Sequence, residues 1–576
     1  MQRVIWEDRA VDAAVTAELA AALQIPPVIA HLLVQRGLTT PEAAHAFLNP
    51  SLSQLHDPFL LAGMHDAVER LLAAIARKEH IAIHGDYDVD GITSTVMLRR
   101  ALELLGADVS HFVPERIRDG YGLQPATIER LHAAGANVIV SVDCGIRASE
   151  AAARARELGV DLIITDHHEP EATLPPALAV INPKRHDCAY PDKHLAGVGV
   201  ALKVVQGLLQ RAGRSVDSMP HFVKVAAIGT LADVVPLIGE NRVIAREGLA
   251  GLSAGPNSAG LEALIEASGL TGRKLDSFHV SFMLAPRINA AGRMASPELA
   301  AELLLLRGRD ETTRARARVL AQQLADENTR RQEQEAAIVT QAKRSVEKDP
   351  AVGAHNVLVV SGDGWHRGVI GIVASKLVDS FYKPAIVLSI EDGIAHGSCR
   401  SIPAFDMLAA LESMPELFIK FGGHKQAAGV TLEAERVPEL RRRMAEIGAT
   451  ALTHDDLRPR LRIDAPLSLR DISGPVIEGL TRMGPFGAAN SKPVFRASPV
   501  ELLDRPKVLK ERHLALMVRQ DGRAFRAMAW RAAEREEYLL ANRTGLELAY
   551  SLEQNEFRGE TRTELTVADL RLPIDV

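Results

Sequence analysis

Short apolar runs that end in acidic residues, each followed by a stretch of helical spacing, set the rhythm of the first half of the chain. HIAIHGDYDVDG (80–91) leads into TSTVMLRRALELLG (93–106), and NVIVSVDCG (137–145) into SEAAARARELG (149–159). VDLIITDHHEP (160–170) and LAVINP (178–183) continue the pattern. Short buried strands alternating with helices predict an α/β domain with a mainly parallel sheet, over residues 76–309. Ahead of it, residues 1–75 read as a leader of short helices rich in Ala and Leu.

Residues 310–349 are strongly charged, and Leu320/Leu324 and Ile338/Ala342 keep an i,i+4 spacing. That pattern predicts a long exposed helix joining two domains. A second α/β rhythm follows in NVLVVSGDGW (356–365), GVIGIVASKLV (368–378) and PAIVLSI (384–390). It predicts a smaller α/β domain over 350–455 that closes after GGHKQAAG (422–429). Residues 456–576 carry short strands with Gly and Pro turns, as expected of a small all-β barrel or sandwich.

At 576 residues, 47% hydrophobic and 24% charged, the chain has the composition of a folded multidomain protein and not of a disordered one. A net charge of −6 does not suggest a polybasic, histone-like binder, but it leaves room for nucleic acid in a local basic groove. Locally the sign reverses: residues 505–531 hold eight Lys/Arg against two Asp/Glu, with Phe525 and Trp530 among them. Basic and aromatic interleaving suits single-stranded nucleic acid on an OB-like surface, with Lys507, Lys510, Arg523 and Arg526 as candidate contacts. Cys144, Cys188 and Cys399 stand far apart and form no CxxC, so neither a disulfide framework nor a zinc ribbon is expected and a reducing cytoplasm fits. The opening MQRVIWEDRA lacks a signal-peptide pattern, and no run of about 18 apolar residues predicts a membrane helix.

The candidate chemistry lies where the apolar runs end. His84, Asp86, Asp88 and Asp90 follow the first run, Asp143 ends the second, and Asp166, His167 and His168 end the third. Open α/β sheets bind ligands at the carboxyl ends of their strands. Asp86, Asp88, Asp90 and Gly91 also fit the start of an EF-hand loop, but its twelfth position needs a bidentate Glu and holds Met97. One aspartate here is explained by turn or capping work, and Asp86 is compatible with that. The whole group is not, because like charges in one pocket repel unless cations hold them. With Asp233 in GTLADVVPL, the set mixes oxygen and imidazole donors without thiolates, which favours Mn²⁺ or Mg²⁺ over structural zinc. Two such ions would activate a water and stabilise the leaving oxygen of a phosphoester. No GxxxxGK[ST] or G-x-S-x-G is present, so neither an NTPase loop nor a serine-hydrolase elbow is expected.

The ordered set HxxxDxD, DCG, DHH and a later Asp resembles the DHH phosphoesterase superfamily, and GGHKQAAG resembles its DHHA1 domain. VIAHLLVQRGLTTPEAAHAFLNPSLSQLHDPFLL (28–61), PRINAAGRM (286–294) and GWHRGVIGIVASKL (364–377) narrow the resemblance to the single-strand-specific 5′→3′ DNA exonucleases of that superfamily, over nearly the whole chain. The resemblance implies that His84 and Asp88 hold one metal, Asp90, His167 and Asp233 the other, and that Asp143 bridges. It implies that His168 contacts the scissile phosphate, that Arg287, Ser398, Arg400 and His424 bind DNA phosphates, and that Arg116 holds the 5′ end. Asp90, Asp143 and His168 would then be catalytic. The implied partners are single-stranded DNA with a 5′ end, a helicase and a single-strand-binding protein, and a monomer is expected. Relatives acting on oligoribonucleotides or cyclic dinucleotides are the alternative, but they typically stop after the second domain. An inactive nucleic-acid-binding protein is a third reading, against which the intact carboxylate set argues.

Overall fold

The computed structural model describes residues 4–115, 118–120, 122–215, 218–255, 257–557 and 560–573. The first apolar runs form a five-stranded, wholly parallel sheet in the spatial order Asp108–Phe112, His80–His84, Val138–Val142, Asp161–Thr165, Ala179–Ile181. Val138–Val142 is buried at every residue, as a strand covered by helices on both faces must be. Chain order reverses between His80–His84 and Val138–Val142. The crevice for a ligand therefore opens above these two strands.

The helix Glu311–Lys348 has 38 residues and so spans about 57 Å. Ala317, Leu320, Ala321 and Leu324 pack into the core of the first domain, whereas Ile338, Ala342 and Val346 pack into the second. One helix thus belongs to both cores. The second domain is a mixed five-stranded sheet in which Leu358–Asp363 runs parallel to Ala385–Glu391, and Ile394–Arg400, Ala427–Glu433 and Lys420–His424 continue antiparallel. The all-β region is a barrel: Phe495–Leu502, Leu546–Phe557, Glu560–Arg571, Arg523–Ala529 and His513–Gln520 pair in sequence, and the last returns to Phe495–Leu502. Five strands closed in this way are the OB arrangement. Among the described residues, no helix is long and apolar enough to cross a membrane.

The leader is not a separate unit. Ile5–Asp8 forms a strand beside Arg460–Ile463. The helices Ala13–Leu23, Pro27–Gln35 and Pro41–Leu48 bury Leu19, Ile29, Leu33 and Phe47 in one core with Leu469, Met483 and Phe495 of the barrel region. Helices this short are marginal alone and need a partner for their apolar faces. The boundary expected at residue 75 falls inside the helix Met64–Arg77, whose Met64, Val68 and Leu71 belong to the first domain's core. Ile29 is fully buried in the shared core. Ile29→Ala should therefore cost roughly 2–5 kcal/mol and lower the unfolding midpoint of the barrel, followed by urea melts monitored within it. A barrel that melts unchanged would show that the leader is only attached to it.

Candidate metal centre and substrate cleft

Three strand ends and two helix ends converge on Asp143. Its backbone sits in the left-handed region at φ 60°, a conformation costly for a non-glycine residue. The Asp143 amide donates to the Thr165 carbonyl (3.0 Å), which holds the turn. Asp88 caps the helix Val89–Leu104 by accepting from the Gly91 amide (3.0 Å). Gly91 is required there: a Cβ at this position would lie 2.6 Å from the Asp86 nitrogen. Asp90 accepts from the Gly197 and Val198 amides (2.7 and 2.8 Å), at the N-terminus of the helix Gly197–Arg211.

The side chains form three groups, each with ligand atoms within 4.8 Å of one another: Asp143 with His167 and His168; Asp90 with His167 and Asp233; Asp86 with Asp88 and Asp143. His167 Nε2 lies 3.2 Å from Asp143 Oδ1, 3.7 Å from Asp233 and 3.9 Å from Asp90. Yet neither His167 Nε2 nor Asp143 Oδ1 makes a hydrogen bond. Burial first, then repulsion among the neighbouring carboxylates, pushes Asp90 and Asp143 well above the usual carboxylate range. Burial and Asp88 raise Asp233 to about 7. Burial drives His84 and His167 down to about 4, so both are neutral imidazoles. Buried donors crowded together without hydrogen bonds are what a pair of divalent cations would satisfy, and the residues present fit such ions.

His168 has a different environment. Burial opposes its charge, but its Nδ1 is held 2.7 Å from Asp166 Oδ1, and that contact with the surrounding carboxylates raises its pKa. Asp166 also accepts from the His167, His168 and Ile146 amides, so its position is fixed from several sides. A carboxylate that holds a histidine in this way fixes its tautomer and ring orientation.

The cleft is completed by the second domain. Ser398, Arg400 and His424 line a cavity of about 940 Å³, together with Arg293 and Arg367. His424 also lines a cavity of about 690 Å³ with His167 and His168, so it faces the metal cluster across the domain junction.

Several positions differ from expectation. His84, fully buried at its strand end, belongs to none of the three groups, and Asp86 belongs to one. A single aspartate in a turn gives no sign of this, since both roles need the same residue type. Arg287 donates to the Met283 carbonyl (2.5 Å) in its own helical run. Arg293, from the same PRINAAGRM segment, lines both the metal pocket and the large cavity. Arg116 lies outside the described residues. In the barrel, Lys507 pairs opposite Ala515 and Arg526 opposite Met517, which places both on one face. Arg523 pairs opposite the buried Gln520 and so points to the other face, and Lys510 lies just beyond its strand. Arg505, Arg519 and Arg526 are each paired with a carboxylate, which reduces the free charge of this surface.

Comparison with known proteins places this geometry. The DHH family N-terminal domain matches residues 80–230, the DHHA1 domain 354–449 and the RecJ OB domain 463–569. The single-stranded-DNA-specific exonuclease RecJ of Bacillus subtilis is 38% identical over 98% of this chain and 70% of its own length. The chain belongs to the RecJ family. RecJ of Escherichia coli is 34% identical over 96% of this chain and 97% of its own. The crystal structure of RecJ from Thermus thermophilus in complex with Mn²⁺ superposes with a TM-score of 0.83, at 32% identity, over 99% of this chain and 80% of that one. Its Mg²⁺ complex gives 0.78 at 30% identity, over 99% of this chain and 79% of that one. The multidomain α/β architecture with a C-terminal OB domain is thus that of RecJ, and the chain is a nuclease of the DHH type.

Close packing behind Asp143 provides a test. A Cβ on Gly197 would lie 2.4 Å from Asp143 Oδ1. Gly197→Ala should displace that carboxylate and lower Mn²⁺ affinity at least about tenfold, by calorimetric titration, with the circular dichroism spectrum retained. Unchanged affinity would mean that Asp143 tolerates the shift and is not a close ligand.

Proposed function

We propose that this chain removes nucleotides from the 5′ end of single-stranded DNA by two-metal phosphodiester hydrolysis with Mn²⁺ or Mg²⁺. The observation that carries the reading is Asp143, shared by two of the three ligand groups, beside His167 and His168, which line a cavity with His424 next to Arg400 and Ser398. In this reading Asp90, His167 and Asp233 would hold one ion and Asp88 with Asp86 the other, with Asp143 close enough to serve both, and His84 is assigned beside Asp88 by resemblance alone. The ions supply a nucleophilic water and neutralise charge on the phosphate.

The chain's own residues do the rest. Asp166 orients His168 and raises its pKa, which favours the protonated ring that would donate to a non-bridging oxygen of the scissile phosphate. Arg400, Ser398 and His424 hold neighbouring phosphates, since guanidinium forks match phosphate oxygens, and Arg287 is assigned there by resemblance alone. Arg116 is proposed at the 5′ end by resemblance alone. Water adds to phosphorus and the 3′ oxygen of the first nucleotide leaves. The shortened strand therefore begins again with a 5′ phosphate. A cleft walled on both sides suits one strand and not a duplex. Three buried, free cysteines fit a cytoplasmic setting, and a helicase and a single-strand-binding protein are the proposed suppliers of substrate.

Asp143→Ala should abolish hydrolysis even in excess Mn²⁺, and EDTA should stop the wild-type reaction. On end-labelled strands, label should leave the 5′ end first. Release from the 3′ end first, or cutting of circular single strands, overturns the proposed polarity. On the barrel, Lys507→Ala with Arg526→Ala should weaken binding of long single strands and reduce the salt slope by about 1.4, at ~0.7 per phosphate contact. An unchanged slope would remove this face from the strand's path.

A further inference from the structure

Three consecutive polar residues, Glu240, Asn241 and Arg242, are buried at the start of the helix Gly239–Ala254. Buried polar side chains are costly unless hydrogen-bonded, so what each of them holds is informative. The Glu240 carboxylate pairs with Lys203 (2.6 Å) and accepts from the His56 amide (2.9 Å), which ties the leader to the catalytic domain. Arg242 donates to the carbonyls of Phe47, Arg482 and Gly484, which ties the helix to the leader and the barrel region. These two side chains join parts of the protein to one another. Asn241 instead reaches the two segments that stand behind metal ligands.

The first segment is the loop 192–197. Asn241 Nδ2 donates to the His194 carbonyl, and Asn241 Oδ1 accepts from the Ala196 amide (3.4 Å). Between these two anchors, the Leu195 carbonyl accepts from the His167 ring. His167 Nε2 makes no hydrogen bond, so the donor is Nδ1, and Nε2 is left facing Asp143, Asp233 and Asp90. Directly after the anchors, the Gly197 and Val198 amides hold Asp90. The second segment is 233–237. Asn241 Nδ2 also donates to the Pro236 carbonyl (3.1 Å), three residues after Asp233. One carboxamide thus clamps the backbone behind Asp90, His167 and Asp233, which form one of the ligand groups. A carboxamide supplies two N–H donors and an acceptor from a single short side chain, as these partners require.

We propose that Asn241 is a positioning residue for the ion held by Asp90, His167 and Asp233. This deepens the two-metal reading and rests on it. Asn241 acts through the backbone: it fixes the distance between the loop 192–197 and the segment 233–237, and with it the orientation of the His167 ring. Groups that orient metal ligands count nearly as much as the ligands, and losing one typically costs about tenfold to hundredfold in affinity. Asp86 and Asp88 lie outside both clamped segments, in the turn that Asp88 closes by capping the helix Val89–Leu104. The ion at Asp86 and Asp88 should therefore be affected much less. A general loss of stability would not discriminate between the two ions in this way.

The test compares Asn241→Ala with the milder Asn241→Ser, whose hydroxyl still offers one donor. Arg242→Lys loosens the same helix end without touching either clamped segment. Mn²⁺ binding is followed by calorimetric titration and by the paramagnetic resonance spectrum of the bound metal, and hydrolysis of a 5′-labelled strand by kcat and KM. Wild type should bind two ions, close enough to give a spin-coupled spectrum. Both Asn241 variants should bind one of the ions about tenfold to hundredfold more weakly, and at limiting metal show the six-line signal of an isolated Mn²⁺. Their kcat should fall at low Mn²⁺ and recover in excess, with KM for the strand little changed. Arg242→Lys should lower the unfolding temperature and leave both Mn²⁺ affinities at their wild-type values. Asn241 variants that bind two ions as tightly as wild type overturn the proposal, and so does an equal loss of affinity in Arg242→Lys. If wild type binds a single ion, the two-metal reading fails by itself. Asn241 then keeps its role if its variants weaken that ion and loses it if they do not.

Discussion

Asp90, Asp143 and Asp233 are held in one buried pocket, where each raises the cost of ionising the others. Such a pocket exists only if the fold forces the carboxylates together and something positive compensates. The forcing is visible in the backbone. Asp143 sits in a left-handed turn, Asp90 is anchored by two amides at a helix N-terminus, and Gly197 and Gly91 leave room where any side chain would collide. The protein's own compensation includes two amides at Asp90, the His168 ring and Lys184 near Asp233, and the dipole of one helix. Divalent ions supply the remainder, and in doing so turn an electrostatic cost into a site that attracts phosphate.

The rest of the architecture serves that pocket. The parallel sheet brings three strand ends to the place where chain order reverses, and the long helix fixes the second domain opposite. Because the helix is packed into both cores, the distance between the metal cluster and the phosphate-binding wall is set by rigid secondary structure and not by a linker. The midsection of the helix buries Asn328, Arg331 and Glu335, a polar band that separates its two apolar stripes.

Much of this is legible in the chain. Apolar runs ending in acidic residues mark the strands, and the switch-point rule marks the site, because both depend on local patterning. Charge alone groups Lys507 and Arg526 with Arg523. Only the cross-strand register, which is a long-range property, puts Arg523 on the opposite face. The leader departs from expectation for a related reason. Its helices have apolar faces, but nothing in 1–75 says that the surface covering them lies beyond residue 455. Asp86 is undecidable from the sequence because an aspartate in a turn and an aspartate at a metal look the same in one dimension.

The pairing of Ile5–Asp8 with Arg460–Ile463 has a consequence for how the protein is made. Roughly 450 residues separate the partners, and at about 5–20 residues per second the first strand and its helices wait on the order of half a minute or more on the ribosome before their cover is synthesised. During that interval Leu19, Ile29, Leu33 and Phe47 have nowhere native to go. The nascent leader is thus a natural client for chaperones, and its docking onto the barrel is a late step, after the catalytic domain has had time to fold.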